Sequence, residues 1–187
     1  MNTAAATLTA ETLVQQCLKG EATAYRLLYN RYSQAMFNTA LRILNRTDDA
    51  EDVLQESFID AFGQLSRFEG RSTFGAWLKQ IVVNKSISYL RKKRVFMADI
   101  DQHVNDIADD EPVDDSESYY SVDTIKKAVQ QLPDGYRTVL SLYLFEEYKQ
   151  EEIAAMLNIS HGTVRTQYMR AKNKLANVLK EGAYHEQ

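Results

Sequence analysis

A chain of 187 residues, 44% of them hydrophobic and 26% charged, can build hydrophobic cores and has the length of one domain or two small ones. Its one cysteine, Cys17, excludes an internal disulfide framework and fits a reducing compartment, and no run approaches the roughly 18 consecutive apolar residues of a membrane span. The net charge of −4 is unfavourable for a nucleic-acid partner, so the distribution of charge along the chain has to decide that question. The opening stretch MNTAAATLTAET has neither the basic start nor the apolar centre of a secretion signal, and a cytoplasmic location is expected.

Cys17 lies on a helical apolar face and reads as core. From Ala22 to Leu44, Tyr25, Leu28, Tyr29, Tyr32, Met36, Phe37, Ala40, Leu41 and Leu44 recur at spacings of three and four, which predicts a long amphipathic helix with aromatics in its core face. After Asn45-Arg46-Thr47, either Thr47 or Asp48 can cap a second helix, and Asp48, Asp49, Glu51 and Asp52 suit the positive end of its dipole. Val53, Leu54, Phe58, Ala61, Phe62 and Leu65 supply its buried side, leaving Gln55, Glu56, Ile59 and Asp60 partly exposed.

Phe68-Glu69-Gly70-Arg71-Ser72 is a loop, with Gly70 for backbone freedom and Ser72 as the next cap. A third helix is expected from Thr73 to about Arg94, with Phe74, Trp77, Leu78, Ile81 and Val82 turned inward. Lys85, Arg91, Lys92, Lys93 and Arg94 gather towards its end. That is more positive charge than the helix dipole needs, and it offers a phosphate-binding surface.

Composition then changes sharply. Val95 to Ile125 holds ten acidic residues and no Lys or Arg, so a net charge of −4 becomes +6 once they are set aside. Residues 95–121 carry little periodicity, Pro112 and three serines, the marks of a flexible linker. A second domain starts near Val122. Ile125, Ala128, Val129 and Leu132 mark a helix ended by Pro133-Asp134-Gly135, and Tyr136 to Glu147 carries Val139, Leu140, Tyr143 and Leu144 on another.

Gln150 to Leu179 reads as two helices around a tight turn. Ile153, Ala154 and Leu157 share one face, Asn158-Ile159-Ser160 breaks the pattern, and Ser160 is a good N-cap for the helix that follows. On that helix Val164, Tyr168, Ala171, Leu175 and Leu179 form the inward stripe. Thr166, Arg170 and Asn173 lie opposite, flanked by Arg165, Gln167 and Lys174, and residues 161–180 contain five Lys or Arg and no carboxylate. This is a helix-turn-helix layout, whose second helix enters a major groove; Arg and Gln there can contact base edges while further cations meet phosphates. A solvated basic face on an ordinary helical hairpin is the competing reading. No internal repeat, no strand-like alternation and no metal-ligand spacing is found, so the expected fold class is all-α without metal or cofactor.

Taken together, DAEDVLQESFIDAF (Asp48 to Phe62), FEGRSTFGAWLKQIVVNKSISYLRKKR (Phe68 to Arg94) and LPDGYRTVLSLYLFEEYKQEEIAAMLNISHGTVRTQYMRAKNKL (from Leu132) resemble the extracytoplasmic-function sigma factors, the compact two-domain class of bacterial transcription initiation factors. The resemblance runs from about Glu21 to Leu179. It implies a sigma region 2 over residues 1–94, a linker over 95–121, and a sigma region 4 with its helix-turn-helix over 122–187. It implies core RNA polymerase and promoter DNA as partners, with an anti-sigma protein restraining the free factor.

By the same resemblance, Asp52, Gln55, Glu56 and Phe58 would face the polymerase clamp. Phe68, Gly70, Arg71 and Ser72, backed by Asn84, would hold a base flipped from the single-stranded minus-10 element, for which a π-face and an amide are suited. Lys85, Arg91 and Lys92 would hold nearby phosphates; Trp77 is either a strand-separating wedge or core. Ser160, Thr163, Arg165, Thr166, Gln167, Arg170 and Lys174 would cap, read or clamp the duplex minus-35 element. Where the family commonly has a basic residue, GTVRTQ places Gln167, which favours adenine edges over guanine. The acidic linker would thread basic polymerase channels as a nucleic-acid mimic.

Two rival classes are weighed. A stand-alone helix-turn-helix regulator would bind duplex tightly without polymerase. An all-helical magnesium and diphosphate enzyme would use Asp48, Asp49 and Asp52, which match a DDxxD pattern, but that chemistry needs a second acidic motif on a facing helix and a large apolar cavity.

Overall fold

A computed structural model describes residues 8–93 and 120–185, with side chains to Lys180. Among the described residues there are eight α-helices and one short 3-10 turn, and no strand. The chain divides into two compact units, Met1–Tyr89 and Leu90–Gln187. The stretch expected to be a linker lies outside the described residues apart from Tyr120 and Ser121, as does Arg94.

The first unit begins with α1 (Ala10–Leu18), capped by Thr9, whose hydroxyl accepts from the Thr12 amide at 3.2 Å. Leu13, Val14 and Cys17 are its buried face, and burial, followed by the charge of Glu21, pushes the Cys17 thiol pKa up. The long helix α2 (Ala22–Leu44) has the bounds its periodicity predicts, and Asn45 closes it in the left-handed conformation at φ 58°. It packs on α1 and on α3 (Thr47–Gly63). No side chain caps α3: Arg46 occupies the N-cap position, and the expected caps Thr47 and Asp48 both lie inside the first turn.

Three tyrosines of α2, spaced four and three residues apart, reach rings on other elements. Tyr25 meets Phe62 edge-on at 5.0 Å between centroids, Tyr29 meets Phe58 at 4.7 Å, and Tyr32 meets Phe74 at 5.3 Å. Such pairs add about 0.5–1.5 kcal/mol each beyond area burial. After the 3-10 turn Leu65–Arg67 and the loop, α4 (Phe74–Lys92) starts one residue later than expected. Its cap is Thr73, whose hydroxyl accepts from the Ala76 amide at 3.2 Å, while the Ser72 hydroxyl reaches only the Thr73 carbonyl at 3.4 Å. Phe74, Leu78 and Val82 are buried as predicted; Trp77 and Ile81 are half-buried. Gly75 lets α4 approach α2 closely, since a Cβ there would sit 2.8 Å from Tyr32 Cε1.

In the second unit, α5 (Val122–Gln130) is capped by Ser121, whose hydroxyl accepts from the Thr124 amide at 3.1 Å. Helix α6 runs over Asp134–Leu144, not Tyr136 to Glu147. Pro133 sits at its N-cap, where a missing N–H costs nothing, and the chain has already turned at Glu147, φ 62°. The register differs accordingly at the end: Leu142 is fully buried, whereas Tyr143 and Leu144, expected inside, are exposed. Helix α7 (Gln150–Leu157) and helix α8 (His161–His185) complete the unit. Helix α8 packs on α5, α6 and α7 around Val129, Leu132, Tyr136, Leu140 and Ala171.

Candidate nucleic-acid interface

The helix-turn-helix forms as its sequence requires. The Lys149 amide donates to Glu152 Oε2 at 2.8 Å, so α7 starts with its first donors satisfied. Ile153, Ala154 and Leu157 are buried, and Asn158, in the left-handed conformation at φ 56°, ends the helix. The Ser160 hydroxyl accepts from the Thr163 amide at 3.0 Å and lies 2.8 Å from the Thr163 hydroxyl. Ser160 and half-buried Thr163 therefore fix the first turn of α8.

Val164 and Ala171 are fully buried, with Tyr168 and Leu175 half-buried behind them. The outward face carries Arg165, Thr166, Lys172 and Lys174, all exposed, with Arg170 and Asn173 half-buried. The Thr166 hydroxyl donates to the Gly162 carbonyl at 3.0 Å, which leaves its lone pairs outward as acceptors. Gln167 departs from its expected role. Three residues after Val164 and four before Ala171, its side chain is 2% exposed, with Oε1 buried and unpartnered. It belongs to the inner face and is not presented to a groove. Met169, missed from the sequence, is 51% exposed. Four residues after Arg165, it adds an apolar contact to the same face.

In the first unit the outward side of α3 presents Asp52, Gln55 and Glu56, together with Ile59, whose exposure of 70% makes it the most exposed of the large apolar side chains on this face. Phe58, expected among these contacts, is 3% exposed and packs against Tyr29 and Phe62. It supports the face from beneath. Beside the face, a groove of about 340 Å³ between α2 and α3 is lined by Tyr29, Gln34, Phe37, Leu54 and Gln55 among others.

The loop 68–72 has Gly70 at φ 70°, a conformation that side chains disfavour. Arg71 is exposed and pairs with Glu69 at 2.6 Å. The Phe68 ring is half-buried, edge-on to Phe74 at 5.9 Å and tilted against Trp77 at 5.3 Å. Trp77 is thus a member of an aromatic cluster, in keeping with a core role. Asn84 is exposed on α4, and Arg91 and Lys92 are exposed in its last turn.

Lys85 is placed differently from the expectation of a phosphate-binding cation. Its ammonium lies 2.9 Å from Asp60 Oδ2 and 3.1 Å from Glu56 Oε2, bridging α4 to α3. The hydrogen bond to Asp60, reinforced by that to Glu56 and opposed by burial, pushes its pKa up. A second tie runs parallel: the Tyr89 hydroxyl donates to Asp49 Oδ1 at 2.6 Å, and Arg46 lies 3.4 Å from the same carboxylate. Asp49 is 6% exposed. It faces α4 rather than joining Asp48 and Asp52 in an open carboxylate cluster, which removes the geometry a DDxxD metal site requires.

The chain matches the family models described as Sigma-70 region 2, over residues 28–95, and Sigma-70 region 4, over residues 123–175. It is 31% identical over 182 residues to the RNA polymerase sigma-H factor of Pseudomonas aeruginosa, covering 89% of this chain and 92% of that one. It is 30% identical over 178 residues to the ECF RNA polymerase sigma factor SigW of Bacillus subtilis, covering 90% and 95%. The chain belongs to the extracytoplasmic-function sigma factors. The sigma factor RpoE of Bartonella quintana, solved with the anti-sigma factor NepR, shares the fold at a TM-score of 0.53 and 23% identity, over 83% of this sigma factor and 96% of that chain. CnrH, solved with the cytosolic domain of CnrY, does so at 0.51 and 25%, over 90% and 96%. As in the family, the all-α architecture places one helical unit on each region, and none of the described helices is long and apolar enough to cross a membrane.

Proposed function

We propose that this transcription initiation factor joins core RNA polymerase through the outward side of α3, captures the unpaired minus-10 strand with the loop 68–72 and α4, and reads the minus-35 duplex with α8. The observation that carries the reading is the outward face of α8. A helix pinned at its start by Ser160 presents Arg165, Thr166, Met169 and Arg170 on one side, within a stretch from 161 to 180 that has five cations and no carboxylate. Arg165 and Arg170 suit guanine edges or phosphates, Met169 suits a thymine methyl, and Lys172 and Lys174 suit the flanking backbone.

The work of opening DNA is done by binding energy. Unpairing costs a few kcal/mol, offset when an extruded base is held by hydrogen bonds and stacking. Asn84, Arg71 and the part of the Phe68 ring left open are the groups assigned to that capture, and Arg91 and Lys92 to the phosphates beside it. Asp52, Gln55, Glu56 and Ile59 form a mixed acidic and apolar face, suited to a basic partner surface with an apolar centre. Because related sigma factors have been solved with anti-sigma and cytosolic-domain partners, an anti-sigma protein is the expected restraint of the free form.

The test is run-off transcription with bacterial core polymerase and a pool of genomic promoter fragments. New discrete transcripts that depend on this protein, and that are lost with Arg165→Ala or Asn84→Ala, are the expected result. Absence of transcripts together with failure to co-purify with core polymerase would overturn the assignment of the surfaces and leave a duplex-binding regulator.

A further inference from the structure

Lys85 on α4 reaches a carboxylate that also belongs to the outward row of α3. The Lys85 side chain is 24% exposed, and the side chains of the two carboxylates it bridges stay more open to solvent, Glu56 at 67% and Asp60 at 44%. Glu56 also belongs to the outward row of α3 with Asp52 and Gln55. One carboxylate is therefore shared between a cation on the DNA-facing helix and the surface offered to polymerase. The charge of the group Lys85, Glu56 and Asp60 sums to −1, so a phosphate approaching Lys85 meets no net attraction.

We propose that Glu56 and Lys85 form an exchange pair: in the free factor Glu56 and Asp60 mask Lys85 from DNA, and a basic polymerase residue that takes up Glu56 releases Lys85 to a phosphate of the minus-10 strand. This rests on the assignment of α3 to polymerase and α4 to DNA. Lys85 acts here as a positioning residue of the coupling. Linkage makes the effect reciprocal, so bound single strand tightens polymerase binding by the same factor that polymerase tightens strand binding. Partly exposed ion pairs set the scale at a few-fold, about threefold in affinity.

The experiment measures fluorescence anisotropy of a labelled, mixed-sequence single-stranded oligonucleotide with the full-length free protein at moderate salt. Glu56→Gln is expected to tighten binding about threefold. Asp52→Asn removes the same charge one turn away without touching Lys85; lying within the screening length of about 10 Å, it measures the general effect of removing a nearby negative charge, which the gain from Glu56→Gln should clearly exceed. Asp60→Asn, which leaves the outward row intact, should reproduce the gain. In a Lys85→Gln background the gain should vanish, and with Lys85→Arg it should return. Equal tightening by Glu56→Gln and Asp52→Asn, or a gain that survives Lys85→Gln, would overturn the exchange. If Lys85→Gln does not fold, the contrast between Asp60→Asn and Asp52→Asn decides alone. Core polymerase binding is measured in parallel. If the wild-type protein does not bind it, the assignment of α3 fails; if it binds and the oligonucleotide does not tighten it, only the exchange fails.

Discussion

Removing a single hydroxyl tests the seam between α3 and α4. Tyr89→Phe keeps the ring and its packing and deletes the donor that lies 2.6 Å from Asp49 Oδ1. Asp49 is 6% exposed, so water cannot replace that bond freely. Hydrogen bonds to charged groups contribute about 1.5–3 kcal/mol net. The carboxylate keeps further support. It sits in the first turn of α3, where the helix dipole favours it, and Arg46 lies 3.4 Å away, although that side chain is 66% exposed and holds it weakly. These hold the expected loss to about 2 kcal/mol. The sequence contains one tryptophan, Trp77, packed on Phe68 and Phe74 in the first unit, so its fluorescence reports this unit alone. With a urea slope of about 1 kcal/mol/M, the midpoint should fall by about 2 M at unchanged slope. A cycle with Asp49→Asn should return a coupling of about 1–2 kcal/mol. A loss under about 0.5 kcal/mol, or additive effects in the cycle, would refute the claim that this bond holds α4 to α3.

Three further outcomes are expected. Ser160→Ala should cost about 1 kcal/mol and speed hydrogen exchange at the Thr163 amide, whereas Ser160→Gly should cost only a few tenths; indistinguishable variants would remove the cap from the account of α8. In selection from randomised minus-35 duplexes with holoenzyme, Gln167→Ala should keep the wild-type base preferences, because its side chain is buried, while Arg165→Ala relaxes one position by about 1–3 kcal/mol. A changed sequence preference for Gln167→Ala would show that Gln167 does reach the groove. The raised pKa of Lys85, due first to Asp60, means its contribution is fully present below the unfolded value and is lost as pH rises through the folded one, above about pH 10.5. Tyr148 and Tyr168, raised mainly by burial, act in the same direction because the unfolded chain ionises first. Lys85→Met should therefore flatten the alkaline fall of the first unit followed by Trp77, and leave that of the second unit; an unchanged fall in the first would argue against the bridge.

Much of this protein was legible without coordinates, and the legible part is local. The bounds of α2, the break of the pattern at Asn158-Ile159-Ser160, the Ser160 cap and the inward stripe Val164, Ala171 depend on contacts three or four residues apart, which periodicity and capping chemistry encode directly. Periodicity also placed Phe58 inside, and the resemblance that moved it to the polymerase face was the weaker guide. Gln167 was misplaced by one angular step around a helix, although its spacing from Val164 and Ala171 already marks the inner face. Nothing local showed that Lys85 would spend its charge on Glu56 and Asp60, 29 and 25 residues earlier in the chain, or that Asp49 would meet Tyr89 across 40. A lysine or an aspartate on a helix surface has the same sequence signature whether it faces solvent, DNA or a neighbouring helix. Only the tertiary arrangement that sets α4 beside α3 brings those charges within hydrogen-bond reach and decides which of them are left for a partner.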